Sequence, residues 1–240
     1  MSIIRCESLC RYYQQGSMEV RALDNVNLEV TAGEFVSIAG PSGSGKSTLL
    51  NMLGALDSPS SGDIWIQDEH LNGLTKAQLA DVRLRRLGFV FQSYNLIPVL
   101  SAIENVEFVL QLQGAPAALR QKQASAMLER VGLADLTDRK PAEMSGGQQQ
   151  RVAIARALAS EPDVLLADEP SANLDSATTK DLMQLLVELN AQLKTTIVMV
   201  THDTEVMHYA GRQIKMRDGS IVSDQSTSAE QATSATPSAS

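Results

Sequence analysis

Residues 33–53 read GEFVSIAGPSGSGKSTLLNML, and this stretch decides the fold of the chain. An apolar run typical of a buried strand leads into a glycine-rich segment, which is followed by a run with helical spacing. The glycine-rich part, residues 40–48, satisfies the pattern G-x-x-x-x-G-K-[ST] between the predicted strand and the predicted helix. Glycines let the backbone N–H groups of such a loop surround phosphate oxygens, and the following helix adds the positive end of its dipole. The stretch therefore predicts a phosphate-binding loop.

The residues of this loop are the first candidate ligands for a nucleoside triphosphate. Lys46 is expected to bridge the β- and γ-phosphates, and the hydroxyl of Ser47 is expected to bind Mg²⁺. The full candidate set comprises Gly40, Pro41, Ser42, Gly43, Ser44, Gly45, Lys46, Ser47 and Thr48.

Two carboxylates in the run VLLADEP, residues 164–170, are the candidate partners of the loop. Asp168 ends a predicted buried strand, at the edge where open α/β sheets bind their ligands, and it is expected to hold Mg²⁺ through water. Glu169 follows directly and is expected to polarise a water molecule in line with the γ-phosphate. Together with the loop, the pair predicts an Mg²⁺-dependent nucleoside triphosphatase.

The order of the remaining segments predicts an α/β fold. Apolar runs such as residues 35–39, 164–168 and 196–201 alternate with helical patterns, which is typical of a parallel sheet covered on both faces. Residues 1–30 and 62–70 instead alternate like half-exposed antiparallel strands. From about residue 95 to residue 158 the pattern is mostly helical.

The composition excludes several classes of protein. With 240 residues, 43% hydrophobic and 20% charged, the chain can bury a core, so it is not a disulfide miniprotein, a fibre or a disordered chain. A net charge of −8 argues against binding nucleic acid or anionic membranes through bulk charge, and two cysteines fit a reducing compartment. No apolar run long enough to span a bilayer and no signal peptide are found, so any membrane role requires a partner. Residues 223–240, rich in Ser, Thr and Ala, are predicted to be a disordered tail.

A second motif, MSGGQQQR at residues 144–151, extends the interpretation. Taken alone it is a capped helix start able to bind an anion. It also resembles the signature of the ATP-binding cassette (ABC) family, here formed by Ser145, Gly146, Gly147 and Gln148. The resemblance covers almost the whole chain and implies that ATP is the nucleotide. It further implies a head-to-tail homodimer, in which the signature of one subunit closes on the ATP held by the phosphate loop of the other.

The same resemblance assigns roles to four residues that carry no signal alone. Tyr13 is expected to stack on adenine, and His202 is expected to contact the γ-phosphate. Gln92 is expected to be a catalytic residue that helps to hold Mg²⁺, and to join the region of this ion and the attacking water to the helical part of the chain. Asp175 is expected to cross the dimer interface. In the implied mechanism Glu169 is the base, while the loop lysine, Mg²⁺ and the histidine balance the developing charge.

The fold implied by the resemblance is that of a P-loop NTPase with a RecA-like core, an antiparallel β subdomain and an inserted helical subdomain. The ABC nucleotide-binding domain is predicted to span residues 1–222. Its core and β subdomain are expected in residues 1–92 and 159–222, and its helical subdomain at about residues 93–158.

Longer segments narrow the resemblance to the ATPases of the macrolide-exporter and lipoprotein-releasing group. The segments are ALDNVNLEV, GEFVSIAGPSGSGKSTLLN, LGFVFQSYNLIPVLSAIENV and MSGGQQQRVAIARAL. This resemblance implies an ATPase subunit on the cytoplasmic face of the inner membrane that drives a separate integral membrane permease, by export or mechanotransmission. Residues 92–106 mix apolar and polar residues as a groove for a partner helix would, and ordinary packing of the helical subdomain explains the same pattern.

The alternative is a cassette ATPase that acts without a permease, in translation or DNA repair. Such proteins usually carry two cassettes with a basic linker, or long coiled coils, and neither pattern is found. The compact basic cluster RLRR at residues 83–86 is read as a solvated helix face, so no nucleic-acid partner is expected. A small-molecule kinase would share the phosphate loop, but it would not account for the SGGQ motif, Gln92 and His202 together.

Overall fold

The protein is described here by a computed structural model that covers residues 1–16 and 18–226. The strands are β1 (Ser2–Gln15), β2 (Met18–Thr31), β3 (Phe35–Ala39), β4 (Ser61–Ile66), β5 (Glu69–His70), β6 (Leu87–Phe91), β7 (Val164–Asp168), β8 (Thr196–Thr201), β9 (Arg212–Arg217) and β10 (Ser220–Ser226). The helices are α1 (Lys46–Leu53), α2 (Lys76–Arg86), α3 (Ala102–Leu112), α4 (Ala117–Arg130), α5 (Gly146–Leu158), α6 (Ser176–Leu193) and α7 (Thr204–Met207). Two 3-10 turns, Ala134–Leu136 and Pro141–Glu143, lie between α4 and α5.

The central sheet is six-stranded, in the order β10-β9-β3-β8-β7-β6. Strands β9, β3, β8, β7 and β6 are parallel to one another, and β10 pairs antiparallel with β9 at one edge. The parallel sheet predicted from the apolar runs is therefore confirmed. Because strands β3, β7 and β8 are neighbours, the loops that follow them leave the same edge of the sheet side by side.

Alternate residues of the central strands face two different cores. Val198 and Val200 pack in a cluster with residues of α1 and of the antiparallel strands β1, β2 and β4. Ile197 and Met199 pack in a second cluster with residues of helices α3 to α6. The sheet is thus buried on both faces, which explains why its strands read as continuous apolar runs.

A second sheet of four strands has the order β2-β1-β4-β5, and its neighbouring strands are antiparallel. In β1 and β2 the facing residues Ile4 and Val30, and further along Cys6 and Leu28, are buried. Residues between them, such as Arg5 and Glu29, face solvent. This alternation confirms the antiparallel prediction for the first 30 residues and for residues 62–70.

Helices α3, α4 and α5 pack on one another between β6 and β7 in the chain, where the sequence pattern is helical. Asn105 is fully buried in α3, and its side chain fixes the turn that leads into this helix. Its amide oxygen accepts from the Ile97 backbone N–H at 2.8 Å, and its amide nitrogen donates to the carbonyl of Ser101 at 2.9 Å. A buried polar side chain of this kind stabilises the fold because its amide oxygen and its amide nitrogen both have hydrogen-bond partners.

Strand β10 extends to Ser226, so the prediction of a disordered tail is wrong for residues 223–226. The physical reason is a bidentate ion pair between the guanidinium of Arg212 and Asp224, with N–O distances of 2.8 and 2.7 Å. Arg212 also pairs with Glu34 at 3.0 Å, so the charged end of β10 is held to the sheet. Residues 227–240 of the predicted tail lie outside the described residues. Among residues 1–16 and 18–226, no helix is long and apolar enough to cross a membrane.

Candidate nucleotide-binding site

The phosphate loop connects β3 to α1 at the carboxyl edge of the central sheet. Gly45, the N-cap of α1, has φ 95°, and a Cβ atom there would lie 2.3 Å from the carbonyl oxygen of Ala22. Only glycine fits this position, because both the backbone angle and the close approach exclude a side chain. The constraint places the first N–H groups of α1 inside the loop, as an anion site requires.

Lys46 closes the loop from within. Its Nζ donates hydrogen bonds to the carbonyl oxygens of Gly40 at 2.8 Å and Pro41 at 2.9 Å, and lies 3.5 Å from the Ser44 hydroxyl. The side chain is buried, with 9% of its surface exposed. Two backbone carbonyl groups therefore hold the ammonium inside the loop. Its positive charge lies where a phosphate group would bind.

A cavity of about 500 Å³ opens beside the loop and brings several predicted residues together. Its lining comprises Tyr13, Val20, Arg21, Ala22, Ser42, Gly43, Ser44, Gly45, Lys46, Ser47, Thr48, Glu169 and His202. The cavity thus joins the predicted adenine contact, most of the phosphate loop, the predicted base and the predicted γ-phosphate contact. Gln92, Asp168, Asp175 and the four signature residues are not among the described residues that line it.

Asp168 and Glu169 are consecutive, but the structure gives them different surroundings. Asp168 ends β7, and burial raises the pKa of its carboxyl, with a further increase from the charge of Glu169 and an opposing effect from Lys46. Glu169 has φ 49°, and its backbone N–H donates to the carbonyl of Val200 at 3.0 Å. After this left-handed turn the Glu169 side chain lines the cavity, whereas Asp168 does not.

His202 meets Glu169 because it follows β8, the strand next to β7. The imidazole Nδ1 lies 2.7 Å from Oε1 of Glu169. The histidine side chain is 71% exposed and the glutamate side chain only 18%, so the carboxylate is fixed in the site and the imidazole covers it from the solvent side. The two predicted groups of the γ-phosphate region are thus in direct contact.

Gln92 lies just after β6, with an exposed side chain. Its backbone carbonyl oxygen accepts from the Asn173 side-chain amide at 2.9 Å, which ties this loop to the loop after Glu169. Tyr94 and Asn95 both have left-handed backbones, with φ 56° and 49°. Arg156 of α5 donates to both of their carbonyl oxygens, at 3.0 and 2.6 Å. The loop after Gln92 is therefore fastened to helix α5.

The signature residues form the N-terminus of α5. Ser145 is the N-cap: its hydroxyl accepts from the Gln148 N–H at 3.3 Å, and the Gln148 side chain accepts from the Ser145 N–H at 2.9 Å. A Cβ at Gly146 would lie 2.8 Å from the Tyr94 hydroxyl, and one at Gly147 would lie 2.5 Å from Cγ2 of Thr178. The first turn of α5 thus packs closely against the loop after β6 on one side and against helix α6 on the other.

Asp175, the predicted interface residue, is the N-cap of α6. Its carboxylate accepts from the Thr178 hydroxyl at 2.7 Å and from the Thr178 N–H at 3.0 Å. These hydrogen bonds, the hydroxyl first, lower the pKa of the Asp175 carboxyl. The side chain thus has a local structural role in the single chain, and the interface role stays a prediction.

Sequence reasoning missed Gln150, the third glutamine of the signature run. It is fully buried, and its amide nitrogen donates to the carbonyl of Pro170 at 2.6 Å. This bond joins α5 to the residue that follows Glu169. The available signal was helical spacing, because Gln150 shares the inward face with Ile154 and Ala157, which are also buried.

The donors near the loop fit a Mg²⁺ ion that is shared with phosphates. Within the described part of the chain, no group of three or more His, Cys, Asp and Glu side chains could hold a metal by itself. Mg²⁺ typically takes one or two protein oxygens and completes its shell with phosphate oxygens and water. The Ser47 hydroxyl in the cavity and the partly buried carboxylate of Asp168 match that need.

A glycine-rich loop between a central parallel strand and a helix, carboxylates at the end of a neighbouring strand, and a capped SGGQ helix define a nucleotide-binding cassette of the P-loop class. The sequence profile of the ABC transporter family matches residues 23–172, more than half of the chain. The chain therefore belongs to the ABC transporter family.

The relatives support this membership in two ways. The chain is 48% identical over 222 residues to the macrolide export ATP-binding/permease protein MacB of Brucella melitensis. The aligned region covers 92% of this chain and 34% of that protein. It is 46% identical over 223 residues to the ABC transporter ATP-binding protein MJ0796 of Methanocaldococcus jannaschii, covering 91% of this chain and 95% of that protein. The chain thus spans about a third of the length of the macrolide export relatives and nearly all of the second.

Solved structures confirm the predicted fold class. A dimeric, post-hydrolysis structure of the MJ0796 cassette bound to ADP and Pi superimposes with a TM-score of 0.86 at 43% identity, covering 94% of this chain and 99% of that chain. The protein is therefore a P-loop NTPase cassette, and the resemblance to the ABC family and its macrolide-exporter group is confirmed. The alternative of a permease-independent factor in translation or repair gains no support from these relatives.

Proposed function

We propose that this chain hydrolyses ATP as the energy-supplying subunit of a membrane transporter, and that its working form is a head-to-tail homodimer around two ATP molecules. One observation carries the proposal. The cavity holds the phosphate loop, Glu169 and His202, while the four signature residues lie outside it. A single chain thus contains two halves of a site that are separate in space, and a second copy is needed to join them. The MJ0796 relative has been solved as a dimer with ADP and Pi.

Each side chain has a defined task in this proposal. The loop N–H groups and the Lys46 ammonium bind the β- and γ-phosphates, and Tyr13 contacts the adenine base. Ser47 and Asp168 are the groups that would hold Mg²⁺, which supplies charge neutralisation at the phosphate oxygens when bound. The Glu169 carboxylate orients and deprotonates the attacking water.

His202 orients the proposed base. With its proton on Nδ1, the imidazole donates to Oε1 of Glu169 across 2.7 Å and holds that carboxylate oriented in the cavity. The exposed ring can then exchange this partner for the γ-phosphate when ATP enters. Gln92 is tied to the loop after Glu169 through Asn173. It is proposed to transmit conformational changes of the γ-phosphate region to the helical part of the chain.

The shared site is tested with Glu169→Gln, which keeps the shape of the side chain and removes its basicity. We expect turnover to fall by at least about 100-fold, because the general base is lost, while ATP still binds. The variant should then accumulate as a dimer in saturating ATP and Mg²⁺, measured by size-exclusion chromatography with light scattering. Lys46→Ala in the same background is the control and should stay monomeric, since it lacks the phosphate contact. A Glu169→Gln chain that stays monomeric under these conditions would refute the shared-site mechanism.

We further propose that a separate permease docks in a groove between α2, α3 and α5, and thereby holds the chain at the cytoplasmic face of the inner membrane. The groove has a volume of about 480 Å³, and its rim carries the exposed apolar side chains Leu56, Phe108 and Leu112. Asn95 and Ile97, from the stretch predicted to receive a partner helix, also line it. Macrolide export relatives join an ATP-binding part and a permease in one longer protein. An exposed apolar groove suits a helix of such a permease.

Docking is tested by capturing N-terminally tagged Glu169→Gln protein from detergent-solubilised native membranes with ATP, followed by mass spectrometry. One integral membrane protein should be recovered in stoichiometric amount. Leu112→Asp, at the groove, should abolish its recovery, because a charge would be buried against the partner. Leu119→Asp is the matched control: Leu119 is 46% exposed on α4 and does not line the groove. Equal recovery with both variants would exclude the groove, and recovery of ribosomes or repair factors would exclude the transport role.

A further inference from the structure

We propose that Arg11 and Asp57 are positioning residues that set the pose of the Tyr13 ring as the platform for the nucleotide base. The inference rests on the proposed function, because it concerns the same ATP site. Tyr13 is the aromatic residue that lines the cavity, yet its side chain is 38% exposed and lies near the end of a strand. A ring so placed needs other groups to fix its orientation before a base can stack on it.

Asp57 fixes the far end of the ring. The Tyr13 hydroxyl donates to Oδ2 of Asp57 at 2.9 Å, and the other carboxylate oxygen, Oδ1, pairs with the Arg11 guanidinium at 2.8 Å. The ion pair is only partly exposed, with side-chain values of 23% for Arg11 and 29% for Asp57. One carboxylate thus holds both the tyrosine hydroxyl and the arginine, which are charge-assisted contacts stronger than neutral ones.

Arg11 fixes the plane of the ring. Its guanidinium carbon lies 4.6 Å from the centroid of the Tyr13 ring, a cation–π contact on one face. With that face covered, the opposite face is the one left for a nucleobase. The arginine therefore makes the tyrosine a one-sided platform rather than a freely turning side chain.

The support comes from the same segment that carries the phosphate loop. Asp57 lies just beyond α1, the helix that begins at Lys46 and ends at Leu53. The segment after Asp57 is bound to β1 by two further bonds: the Ser60 N–H donates to the Cys10 carbonyl at 2.8 Å, and the Tyr12 N–H donates to the Ser60 hydroxyl at 3.0 Å. Helix α1 thus presents phosphate-binding N–H groups at its start, and the segment that follows the helix fixes the base platform. The two parts of the proposed nucleotide site therefore keep a constant separation.

The experiment separates the base contact from the phosphate contact by comparing ADP with inorganic pyrophosphate. Dissociation constants of the full chain are measured by calorimetry for ADP and by displacement for pyrophosphate. Tyr13→Phe removes only the hydroxyl, Asp57→Ala removes the shared carboxylate, and the double variant closes a thermodynamic cycle. Each single variant should weaken ADP binding by about three- to tenfold, the effect of one lost hydrogen bond, and leave pyrophosphate binding unchanged. The double variant should be no weaker than Asp57→Ala alone, because the carboxylate and the hydroxyl act as one unit.

Controls make every outcome decisive. Asp81→Ala is the matched control, because Asp81 forms an ion pair of the same 2.8 Å length with Arg85 on the exposed helix α2. It should change neither constant. If Asp57→Ala weakened ADP and pyrophosphate equally, or if Tyr13→Phe bound ADP like the unchanged chain, the positioning role would be refuted. Tyr13→Ala distinguishes this from failure of the proposed function: normal ADP binding by that variant would show that the ring is not the base contact at all. If Asp57→Ala fails to fold, Tyr13→Phe decides alone.

Discussion

At the scale of single residues, the chemistry of the site depends on how two neighbouring carboxylates are separated. The run VLLADEP identifies Asp168 and Glu169 as a pair but does not distinguish their environments. The left-handed backbone of Glu169 does so, by keeping the first carboxylate at the buried strand end and turning the second toward His202. In the proposed mechanism the first carboxylate holds the cation and the second acts on the water molecule.

The partly buried carboxylate of Asp168 lowers the stability of the protein when no cation is bound. The folded state raises the pKa of Asp168 above its ordinary value of 3.8, chiefly because burial disfavours the charged form. A group with a raised pKa stabilises the fold fully below its unfolded pKa and loses that contribution as the pH rises through its folded pKa. At pH values above its ordinary pKa, Asp168 therefore opposes folding.

Asp168→Asn is accordingly expected to raise the melting temperature of the nucleotide-free chain at pH 7 by about 2–4 °C. The gain should shrink as the pH falls through the raised pKa of the Asp168 carboxyl toward its ordinary value, because the native carboxyl then takes up a proton. Differential scanning calorimetry at several pH values measures it. Asp163→Asn is the control, since Asp163 is paired with Arg86 at 3.1 Å and should bring no gain. A lower melting temperature for Asp168→Asn at pH 7 would contradict the account.

The residues that could be predicted from sequence are those whose role follows from local spacing. Lys46 and Ser47 belong to this group, because nine consecutive residues of the loop determine their positions. Gln150 and Asp57 do not, because each acts through a partner distant in the chain: the Pro170 carbonyl for the glutamine and Tyr13 for the aspartate. No local pattern records such a pairing.

At the scale of elements, helix α5 depends on how closely its first turn approaches helix α6. Gly147 allows that approach, since a Cβ atom would come within 2.5 Å of Cγ2 of Thr178. Thr178 cannot simply rotate away, because its hydroxyl is held by Asp175 at 2.7 Å. The glycine of the signature is therefore also a packing requirement of the single chain.

Gly147→Ala is expected to lower the free energy of unfolding by about 1–2 kcal/mol, because overpacking outweighs the helix propensity that alanine adds. Thr178→Ser in the same chain removes the clashing methyl group and keeps the hydroxyl for Asp175, so it should restore most of the loss. Urea unfolding of the single and double variants measures both effects. Gly211→Ala is the matched control, because no atom lies within 4 Å of a Cβ there. Absence of any rescue by Thr178→Ser would show that the contact does not limit the packing.

Elements with a clear hydrophobic period were predictable, and elements set by tertiary contacts were not. The parallel strands and helices α3 to α5 follow their patterns. Strand β10 carries polar residues beyond Val222, and it persists to Ser226 through the ion pair of Asp224 with Arg212. From composition alone these residues are predicted to be part of a disordered tail. Composition contains no information about the ion-pair partner of Asp224 or about the pairing of β10 with β9.

At the scale of the whole molecule, the central sheet separates two hydrophobic cores. One core joins it to the antiparallel sheet and helix α1, and the other joins it to helices α3 to α6. The phosphate loop arises where a central strand meets α1, and the signature arises at the start of α5 on the other side. The overall fold was predictable because each part carries its own pattern. The meeting of Glu169 with His202 required the order of the strands, which no single segment encodes.

The separation of the two cores by the sheet determines which substitutions are energetically coupled. Val198 and Met199 are consecutive, yet each belongs to a different core. Val198 pairs in register with Val36, which lies in its own core although it is distant in the chain. Energetic coupling, as a double-mutant cycle defines it, follows shared packing partners rather than proximity in sequence. In this molecule, therefore, Val198 is a closer thermodynamic neighbour of Val36 than of the methionine to which it is covalently joined.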